Sequence, residues 1–405
     1  MFRRYLAFVA LPLLALAAPP LHANTPDNDT IRIGVTGPFT GGSAQVGESM
    51  RNGIRLAAAE INQIGGINGK RIELIERDDE AKNDVGGKIA QEMTRQKVVA
   101  SIGIVNLGVG LASIDLYQQA KIPLIIAAST GPVLTKKFAP PAASENYIFR
   151  VSPTLNLEAK VLVAHLKKHN YADIAIIADS TPYGDAGLAA LRQECKQAQI
   201  SIDYEGRFNI GDQDMNEQVK QGKNSPARAV IGWGIGPEMV ALAKSKQQAG
   251  WHVPLLGGWS FSMRTFLEGA AGAGDGVLTT STFIQDAGSV GKNAFLIAYQ
   301  HAFKTDSIPS PMGAAQGYDG MHLLARAISQ AGSQDGSKIR LALENLRTRY
   351  EGAISNYNRP FSAQDHDAMT QNMILMGKVD GGRVVYANRN DEKRSAMGLR
   401  KEKVE

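Results

Sequence analysis

Short apolar runs alternate with amphipathic segments along most of the chain. The apolar run over residues 31–35 stops at Thr36-Gly37-Pro38, and a loop rich in glycine and serine follows it. The next segment has apolar residues three and four positions apart, among them Ile54 and Ile61. Because strands alternate with period two and helices repeat every 3.6 residues, this pattern predicts a strand and then a helix over about residues 48–64.

Residues 103–135 repeat this pattern over one complete unit. An apolar run over 98–103 leads into a loop that contains Asn106, and an amphipathic segment follows. A second apolar run, over 124–128, ends at Ser129 and Thr130. A strand, helix and strand within about 30 residues fit a right-handed parallel crossover. Since ligands bind at the carboxyl edge of open α/β sheets, these residues are predicted to form half of a binding site.

A second series of strands, glycine- or serine-containing loops and helices covers residues 147–261. The two series predict two similar lobes, each with a parallel sheet between layers of helices. More helices are predicted near residues 292–303, 314–331 and 338–346, and a strand over 373–379. The tail over 388–405 is charged and poor in apolar residues, so we expect it to be disordered or a frayed helix.

The first 23 residues have the composition of a secretory signal peptide. Arg3 and Arg4 precede an apolar stretch over 5–18, which is short for a bilayer span, and small residues follow it. We expect cleavage after Ala23 and release of the chain into the periplasm; a retained membrane anchor is the alternative. The only cysteine, Cys195, lies too far along the chain for a lipoprotein signal and leaves no internal disulfide possible.

The charge balance argues against a nucleic-acid-binding protein. The chain has 44 basic and 39 acidic side chains, a formal net charge of +5. Loss of residues 1–23 removes two arginines and no acid and leaves about +3, with the charges interspersed along the chain. We therefore expect no nucleic-acid partner.

Motifs for cofactors and metals are missing from the sequence. The glycines near residue 34 do not match the dinucleotide pattern G-x-G-x-x-G, and there is no phosphate-binding G-x-x-x-x-G-K-[ST] loop. The histidines are scattered without ligand spacing, so we expect no metal site and no cofactor. His366, between two aspartates, is interpreted as part of a solvated turn. Cys195 is interpreted as an inert, partly buried thiol.

Asp78-Asp79-Glu80 is the one acidic cluster at a predicted strand end. It is compatible with a catalytic or metal-binding role, but a charged and capped strand end is the interpretation we favour.

Neutral side chains dominate the remaining loops at the predicted strand ends. Their hydroxyls, amides and aromatic rings suit a small molecule that is held by hydrogen bonds and stacking and is not transformed. For the two hydroxyl residues the alternative is helix capping, and for the two tryptophans it is core packing. The side chains concerned are Asn106, Ser129, Thr130, Tyr183, Trp233 and Trp259.

Several segments of the chain together resemble the leucine/isoleucine/valine-binding family of periplasmic substrate-binding proteins of ABC transporters. They read IRIGVTGPFTGG, AAAEINQIGGINGKRIELIERDDEA and PYGDAGLAAL, and the resemblance covers nearly all of the chain after residue 23. It implies a type I periplasmic-binding fold of class α/β, in which crossover hinge strands join two doubly wound parallel-sheet lobes. The ligand is then expected in the interlobe cleft, and closure of the lobes presents a surface to a membrane permease.

The resemblance also implies lobes that are discontinuous in sequence. The expected division is a signal peptide over 1–23, lobe 1 over 24–149 plus 280–352, lobe 2 over 150–279 plus 353–390, and a charged tail over 391–405. We expect the protein to be a monomer.

Three residues match binding positions of this family. Thr130 matches the threonine that holds the carboxylate and amine of the ligand, and Ala128 matches the position whose carbonyl meets the amine. Tyr183 matches the tyrosine of the second lobe that closes on the ligand.

Three other positions depart from the family pattern. A serine that grips the carboxylate is expected near Leu107, where the chain has Asn106-Leu107-Gly108. An acidic partner for an α-ammonium is expected at about Trp259. Val46 supplies apolar surface where the family carries an aromatic side chain.

These departures bear on the ligand. Burial of an ammonium group without a carboxylate partner costs several kcal/mol. A cation–π contact with Trp259 would offset only about 2 kcal/mol of that cost. The expected ligand is therefore a branched-chain amino acid or a related hydrophobic or aromatic carboxylate, with the carboxylates favoured. The alternatives are a ligand-binding sensor of the same fold that feeds a signalling partner, and a secreted hydrolase that uses Ser129 or Asp78.

Overall fold

The first of two large sheets contains only strands from the N-terminal part of the chain. The structure, a computed structural model, describes residues 30–401, so the predicted signal peptide lies outside the described residues. The first sheet is parallel throughout and has the order β2-β1-β3-β4-β5. Its strands are β1 (Thr30–Gly37), β2 (Arg71–Asp78), β3 (Ala100–Gly103), β4 (Leu124–Ile126) and β5 (Ile148–Arg150).

The second sheet has seven strands in the order β14-β13-β10-β9-β8-β6-β7. Its strands are parallel from β7 to β10, and β13 and β14 complete it in antiparallel orientation. A separate two-stranded sheet joins β11 and β12. The strands are β6 (Asp173–Asp179), β7 (Ser201–Phe208), β8 (Ala229–Trp233), β9 (Leu255–Gly257), β10 (Leu278–Ser281), β11 (Tyr350–Glu351), β12 (Asn356–Tyr357), β13 (Leu375–Asp380) and β14 (Arg383–Tyr386).

Helices connect the parallel strands and cover the two sheets. Two of them, α1 and α11, pack closely because glycine lies at their contact: a methyl group built on Gly53 would lie 2.0 Å from the carbonyl oxygen of Ala314. The helices are α1 (Ala44–Gln63), α2 (Asn83–Arg95), α3 (Leu107–Gln119), α4 (Val133–Lys136), α5 (Leu155–Lys168), α6 (Pro182–Ala198), α7 (Asn216–Asn224), α8 (Glu238–Gln248), α9 (Arg264–Ala270), α10 (Val290–Phe303), α11 (Pro311–Ala331), α12 (Gly336–Glu344) and α13 (Arg389–Ala396).

The predicted fold class, α/β with two doubly wound sheets, is confirmed. The chain passes from the first sheet to the second after β5, and it returns to pack α11 against α1 and β3 after β10. It reaches the second sheet again at β13. We call the first sheet with its helices the first lobe and the second sheet with its helices the second lobe. The residue boundaries given above for the lobes stay a prediction.

Two of these passages are bound together by a buried ion pair. Arg150, at the end of β5, is fully buried, and its Nη2 lies 2.6 Å from Oδ1 of Asp367. The backbones pair as well, since Ala368 donates its N–H to the carbonyl of Arg150. Nη1 of Arg150 donates to the carbonyl of Gly131 at 2.6 Å, so the same guanidinium fixes the loop that follows β4.

His366 corrects one expectation. It does not lie in a solvated turn: its ring is buried and stacks on Phe149 with 3.9 Å between ring centroids. Its Nδ1 lies 3.0 Å from the carbonyl oxygen of Ile148.

The expectation of a disordered or frayed tail is wrong as far as residue 401. Helix α13 packs on β14, and Asp391 accepts the N–H of Met376 at 2.7 Å. Leu399 is buried, and Nζ of Lys401 lies 2.7 Å from Oδ2 of Asp365. None of the helices between residues 30 and 401 combines the length and apolar content that a membrane span requires.

Candidate functional site

The two lobes face each other across a cavity of about 520 Å³ at the carboxyl ends of their strands. The loops after β1, β2 and β3 form one wall, and the loops after β6, β7 and β8 form the other. A ligand in this cavity therefore contacts both lobes at once. The lining includes Gly42, Ser43, Glu80, Asn106 and Leu107 from the first lobe, and Asp179, Thr181, Tyr183, Ile210, Ile235 and Glu238 from the second.

Ser129 and Thr130 follow β4, as predicted, and they are only 2% exposed. Their backbones are held in place: Ser152 Oγ donates to the carbonyl of Ser129 at 2.7 Å, and the N–H of Leu155 donates to the carbonyl of Thr130 at 2.8 Å. Among residues 30–401, neither side-chain oxygen has a hydrogen-bond partner, and neither caps the helix that follows. The two hydroxyls at this strand end are thus buried and unpaired within the described residues, and neither residue is among those that line the cavity.

Asn106 and Leu107 lie at the end of β3 and the start of α3, where they line the cavity. Asn106 donates from Nδ2 to Ser43 Oγ at 3.3 Å, while its Oδ1 is buried without a partner in the described part of the chain. The Leu107 side chain points towards the loop after β4, since a methyl group on Gly131 would lie 2.3 Å from its Cδ1. An apolar side chain and an amide thus stand where the family resemblance implied a serine.

Two further candidates of the first lobe are fully buried. Ala128 donates its N–H to the carbonyl of Ile104 at 3.3 Å. Val46 packs between α1 and α11, and its Cγ2 would lie 3.0 Å from a methyl group on Gly313. Both belong to the core of the first lobe in this structure.

In the second lobe, Tyr183 and Trp233 form one aromatic unit. Their rings stack with 5.6 Å between centroids and 29° between planes. Tyr183 lines the cavity, whereas Trp233 lies beneath α6, with its indole nitrogen against Gly187. Burial, with the nearby carboxyl groups of Glu158 and Asp179, raises the pKa of Tyr183 well above its ordinary value. The tyrosine therefore presents a neutral hydroxyl.

Trp259 opens a short 3-10 turn, Trp259–Ser262, directly after β9. The side chain is buried, and its Nε1 has no hydrogen-bond partner within residues 30–401. A buried aromatic ring thus stands where the family resemblance implied an acid, and its role in binding stays a prediction.

The structure adds Glu158, which the sequence analysis did not select. It lies in the first turn of α5 and is 1% exposed. Its Oε1 accepts the Thr280 hydroxyl at 2.7 Å, and its Oε2 has no partner among the described residues. A methyl group on Gly258 would lie 3.8 Å from Oε1 of Glu158 and 3.5 Å from the Tyr183 hydroxyl, so these two groups converge beside Trp259.

Burial raises the pKa of the Glu158 carboxyl to about 7, and the hydrogen bonds from Thr280 and from the backbone of Trp259 oppose that rise. The sequence did contain a signal for this residue. Glu158 falls three residues after Leu155 and four before Leu162, on the buried stripe of α5. A charged side chain at such a position needs a partner or a function.

The acidic cluster after β2 caps the strand end, as favoured above. Asp78 accepts the N–H of Phe39 at 2.8 Å and the hydroxyl of Thr40 at 2.7 Å. Asp79 is buried, which raises its pKa to about 7, and it accepts the N–H of Ala81.

Cys195 is buried in α6, and burial raises the pKa of its thiol to about 12. The thiol is therefore inert, as predicted, and more deeply buried than expected. Within residues 30–401 no three His, Cys, Asp or Glu side chains are grouped so as to hold a metal ion.

Comparisons with known proteins agree with this geometry. A family profile described as "Periplasmic binding protein" matches residues 30–383. The leucine-, isoleucine-, valine-, threonine- and alanine-binding protein of Pseudomonas aeruginosa is 27% identical over 87% of this chain and 93% of its own length.

Solved structures share the fold. A type 1 periplasmic binding protein from Bordetella pertussis is 26% identical, with a TM-score of 0.80 over 88% of this chain and all of its own. A solute-binding protein from Rhodopseudomonas palustris, solved with 4-hydroxybenzoate, has a TM-score of 0.78 at 21% identity over 89% of this chain and 96% of its own. At 21% identity, the similarity to the Rhodopseudomonas palustris protein shows a shared fold only.

Proposed function

The chain belongs to the periplasmic binding protein family, and we propose that it is the substrate-binding component of an ABC transporter for branched-chain amino acids or related small hydrophobic or aromatic carboxylates. The ligand binds in the interlobe cleft, and closure of the lobes holds it there. The protein works in the periplasm and delivers its ligand to a membrane permease.

The pair of unpartnered hydroxyls after β4 carries this proposal. Ser129 and Thr130 directly precede Gly131, which packs against the cavity-lining Leu107, and neither side chain has a hydrogen-bond partner among the described residues. A buried polar group left unsatisfied costs about 1–3 kcal/mol, so a native structure completes such a bond with a ligand, an ion or an ordered water. A carboxylate can accept from both hydroxyls at once.

Both walls offer apolar surface to the body of a ligand. Leu107 of the first lobe and Ile235 and the Tyr183 ring of the second line the cavity, and Trp233 supports the tyrosine from beneath. A cavity of about 520 Å³ is within the range of small-molecule sites.

A hydrolase is not supported by the same residues. A serine nucleophile needs a base within hydrogen-bond reach, and Ser129 Oγ has no partner of any kind in the described part of the chain. The Asp78 carboxylate is occupied by the cap of the strand end.

A thermal-shift screen tests the proposal. The purified protein without residues 1–23 is screened against the apolar amino acids and against aliphatic and aromatic acids of similar size. Ligand at 100 times its dissociation constant adds about 2.7 kcal/mol to the free energy of unfolding. The double variant Ser129→Ala and Thr130→Ala should lose that shift.

Two outcomes would count against the proposal: no carboxylate of either kind stabilises the protein, or the shift persists unchanged in the double variant. A gene deletion that leaves uptake of the ligand intact would favour the sensor alternative over the transport component.

A further inference from the structure

The last described segment of the chain, residues 387–401, leaves the second sheet and reaches the first lobe. We call this segment the C-terminal strap. It lies beyond residues 30–383, the part of the chain that the family profile matches. Its helix, α13, is bound to the second lobe, because Asp391 accepts the backbone N–H of Met376 in β13 at 2.7 Å.

The strap turns sharply where α13 ends. Gly398 has a φ of +78°, in the left-handed region that glycine adopts without strain, and a methyl group on it would lie 2.6 Å from Nδ2 of Asn356. Residues 399–401 then form a short arm beside the hairpin of β11 and β12. The carbonyl of Leu399 accepts the backbone N–H of Asn356 and the hydroxyl of Ser355, each at 2.8 Å. The arm is thus bound to this hairpin.

The hairpin itself is fixed to the first lobe. Asp319 of α11 is fully buried, and it accepts the backbone N–H groups of Ala353 at 2.7 Å and Ile354 at 2.9 Å. The hydroxyl of Tyr357 donates to the same carboxyl group at 3.0 Å. Since α11 packs against α1, the arm of the strap is bound to the first lobe while α13 is bound to the second.

A second contact joins the strap to the first lobe through α10. This helix packs on α11, where the rings of Phe295 and Tyr318 lie 4.9 Å apart between centroids. Lys292 of α10 is 2% exposed, and its Nζ donates to the hydroxyls of Tyr386 in β14 at 2.9 Å and of Ser395 in α13 at 3.3 Å. These hydrogen bonds cross from one lobe to the other.

The end of the arm contacts one of the passages between the lobes. Nζ of Lys401 donates to the carbonyl of Pro360 at 2.9 Å and to that of Asp367, and it pairs with Oδ2 of Asp365 at 2.7 Å. Asp367 is also the partner of Arg150 in the ion pair that joins two passages. The arm therefore ends on the part of the chain about which the lobes rotate.

The side chain of Leu399 lies in an apolar cluster that both lobes supply. The cluster includes Leu56 of α1 from the first lobe and Leu375 of β13 from the second. None of residues 387–401 lines the cavity. A change in the angle between the lobes thus alters the surroundings of the strap although the strap does not line the cleft.

We propose that the C-terminal strap holds the two lobes in contact, also without a ligand, and so acts on closure from outside the cleft. The contacts of the strap coexist with the contacts between the lobes in this structure. A segment bound to both lobes adds its contact energy only to arrangements in which both contacts form, and the equilibrium shifts towards them by that difference. The inference goes beyond the proposed function, because it concerns the protein without its ligand.

Two neighbouring amides in α9 distinguish separation of the lobes from unfolding of the helix. Thr265 donates its N–H to the first lobe, to Oε1 of Gln45 at 2.9 Å. Phe266 donates its N–H to the carbonyl of Met263 at 3.0 Å, within the second lobe. Separation of the lobes exposes the first amide to exchange with solvent, whereas unfolding of α9 exposes both.

Hydrogen exchange, resolved by nuclear magnetic resonance, is measured on the ligand-free protein without residues 1–23. A chain that ends at Met397 keeps α13 and lacks the arm, and a chain that ends at Lys401 keeps the whole strap. The chain that ends at Met397 should lose about 5-fold of the protection of Thr265, the factor that a typical hydrogen bond provides, and leave that of Phe266 unchanged. The chain that ends at Lys401 should match the full chain at both amides.

Three results would overturn the inference: Thr265 is unprotected in the full chain, its protection survives loss of the arm, or Phe266 loses as much as Thr265. Should the chain that ends at Met397 not fold, Lys401→Ala replaces it, since this change leaves Leu399 and the apolar cluster in place. The same two amides then decide. The result does not depend on the ligand screen, so failure of the strap and failure of the proposed function are distinguishable.

Discussion

At the residue scale, Thr130 and Thr135 show two uses of the same buried side chain. Both lie in the loop and helix that follow β4, and both are almost fully buried. The Thr135 hydroxyl donates to Asp367 at 2.9 Å, whereas that of Thr130 has no partner in the described chain. One threonine therefore serves the fold, and the other carries an energetic cost that a ligand would remove.

The substitution Thr130→Val should change the stability of the protein and its affinity for the ligand in opposite directions. Valine keeps the shape and removes the unsatisfied hydroxyl, so the ligand-free protein should become more stable by about 1 kcal/mol. Loss of a hydrogen bond to a charged ligand group should weaken binding by roughly 10-fold or more. Urea unfolding and calorimetric titration measure the two effects.

Thr135→Val is the matched control. It removes a donor to a buried carboxylate, so it should lower the free energy of unfolding by about 1–3 kcal/mol. If Thr130→Val lowered stability to the same extent, the Thr130 hydroxyl would have a structural partner and its place in the site would be wrong.

The residues of the site differ in how far the sequence could predict them. Tyr183, which lines the cavity, was predictable because it follows an apolar run and matches a family motif, while the role of Thr130 in the site stays a prediction. Glu158 was not selected, since an isolated glutamate in LNLEAKV is ordinary for a solvent-exposed helix position. Its spacing from Leu155 and Leu162 was the only signal of burial, and the packing of α5 in the second lobe shows that Glu158 is buried.

At the scale of elements, the passage from β5 to the second lobe depends on Arg150. Its guanidinium binds Asp367, Thr135 and the carbonyl of Gly131, and it thereby connects two interlobe passages with the loop of the site. Burial alone would raise the pKa of Asp367, but Arg150 and Lys136 hold it below its ordinary value. The ion pair is therefore intact at neutral pH, and its contribution is lost as the pH falls through the lowered pKa.

Removal of one partner of the Arg150–Asp367 ion pair should destabilise the fold strongly. Asp367→Leu leaves a fully buried guanidinium without its counter-charge, and we expect a loss of about 3–5 kcal/mol in the free energy of unfolding. The double variant Arg150→Met and Asp367→Leu should recover most of that loss, because no buried charge remains. Denaturant unfolding of the wild type, Asp367→Leu and the double variant measures these differences in the free energy of unfolding. A double variant as unstable as Asp367→Leu would contradict the expectation.

Helices and strands with a clear periodicity of hydrophobic residues were predicted to within a few residues. Elements in which this periodicity is weak were missed. The apolar faces of α1 and α11 and the apolar run of β4 marked these elements clearly. Strand β10 is short and rich in threonine, and it is defined by its neighbours β9 and β13. Helix α13 has few apolar residues, and polar contacts such as that from Asp391 to Met376 hold it in place. Tertiary contacts of this kind leave no periodic trace in the sequence.

At the scale of the whole molecule, the two lobes lie close together around the cavity. The N–H of Thr265 in α9 donates to Oε1 of Gln45 in α1 at 2.9 Å. A methyl group on Gly236 would lie 3.5 Å from the carbonyl oxygen of Gly42 across the cleft. The two lobes therefore contact each other in this structure.

Small-angle X-ray scattering should detect closure. A ligand that contacts both walls stabilises the closed form by its difference in affinity for the two forms. We expect the radius of gyration of the ligand-free protein to exceed that of the protein with its saturating ligand. An identical radius in both states would contradict hinge closure. Thr130→Val at the same ligand concentration should lie nearer the ligand-free value.

The organisation of the whole chain was largely predictable from the order of its elements. Two successive series of strands and helices indicated two α/β lobes, and the resemblance implied the passages between them. The approach of the walls was not predictable, because it depends on contacts between residues far apart in sequence, such as Gln45 and Thr265.

The inert thiol of Cys195 has a practical consequence. It is the only cysteine of the chain and is buried in α6, so it should not react with a maleimide dye in the folded protein. Ile210, by contrast, lies at the edge of the cavity with 59% of its surface exposed. Ile210→Cys would therefore accept a single fluorophore at the lip of the cleft with no native thiol to remove first, and the protein would become an optical reporter of its own ligand.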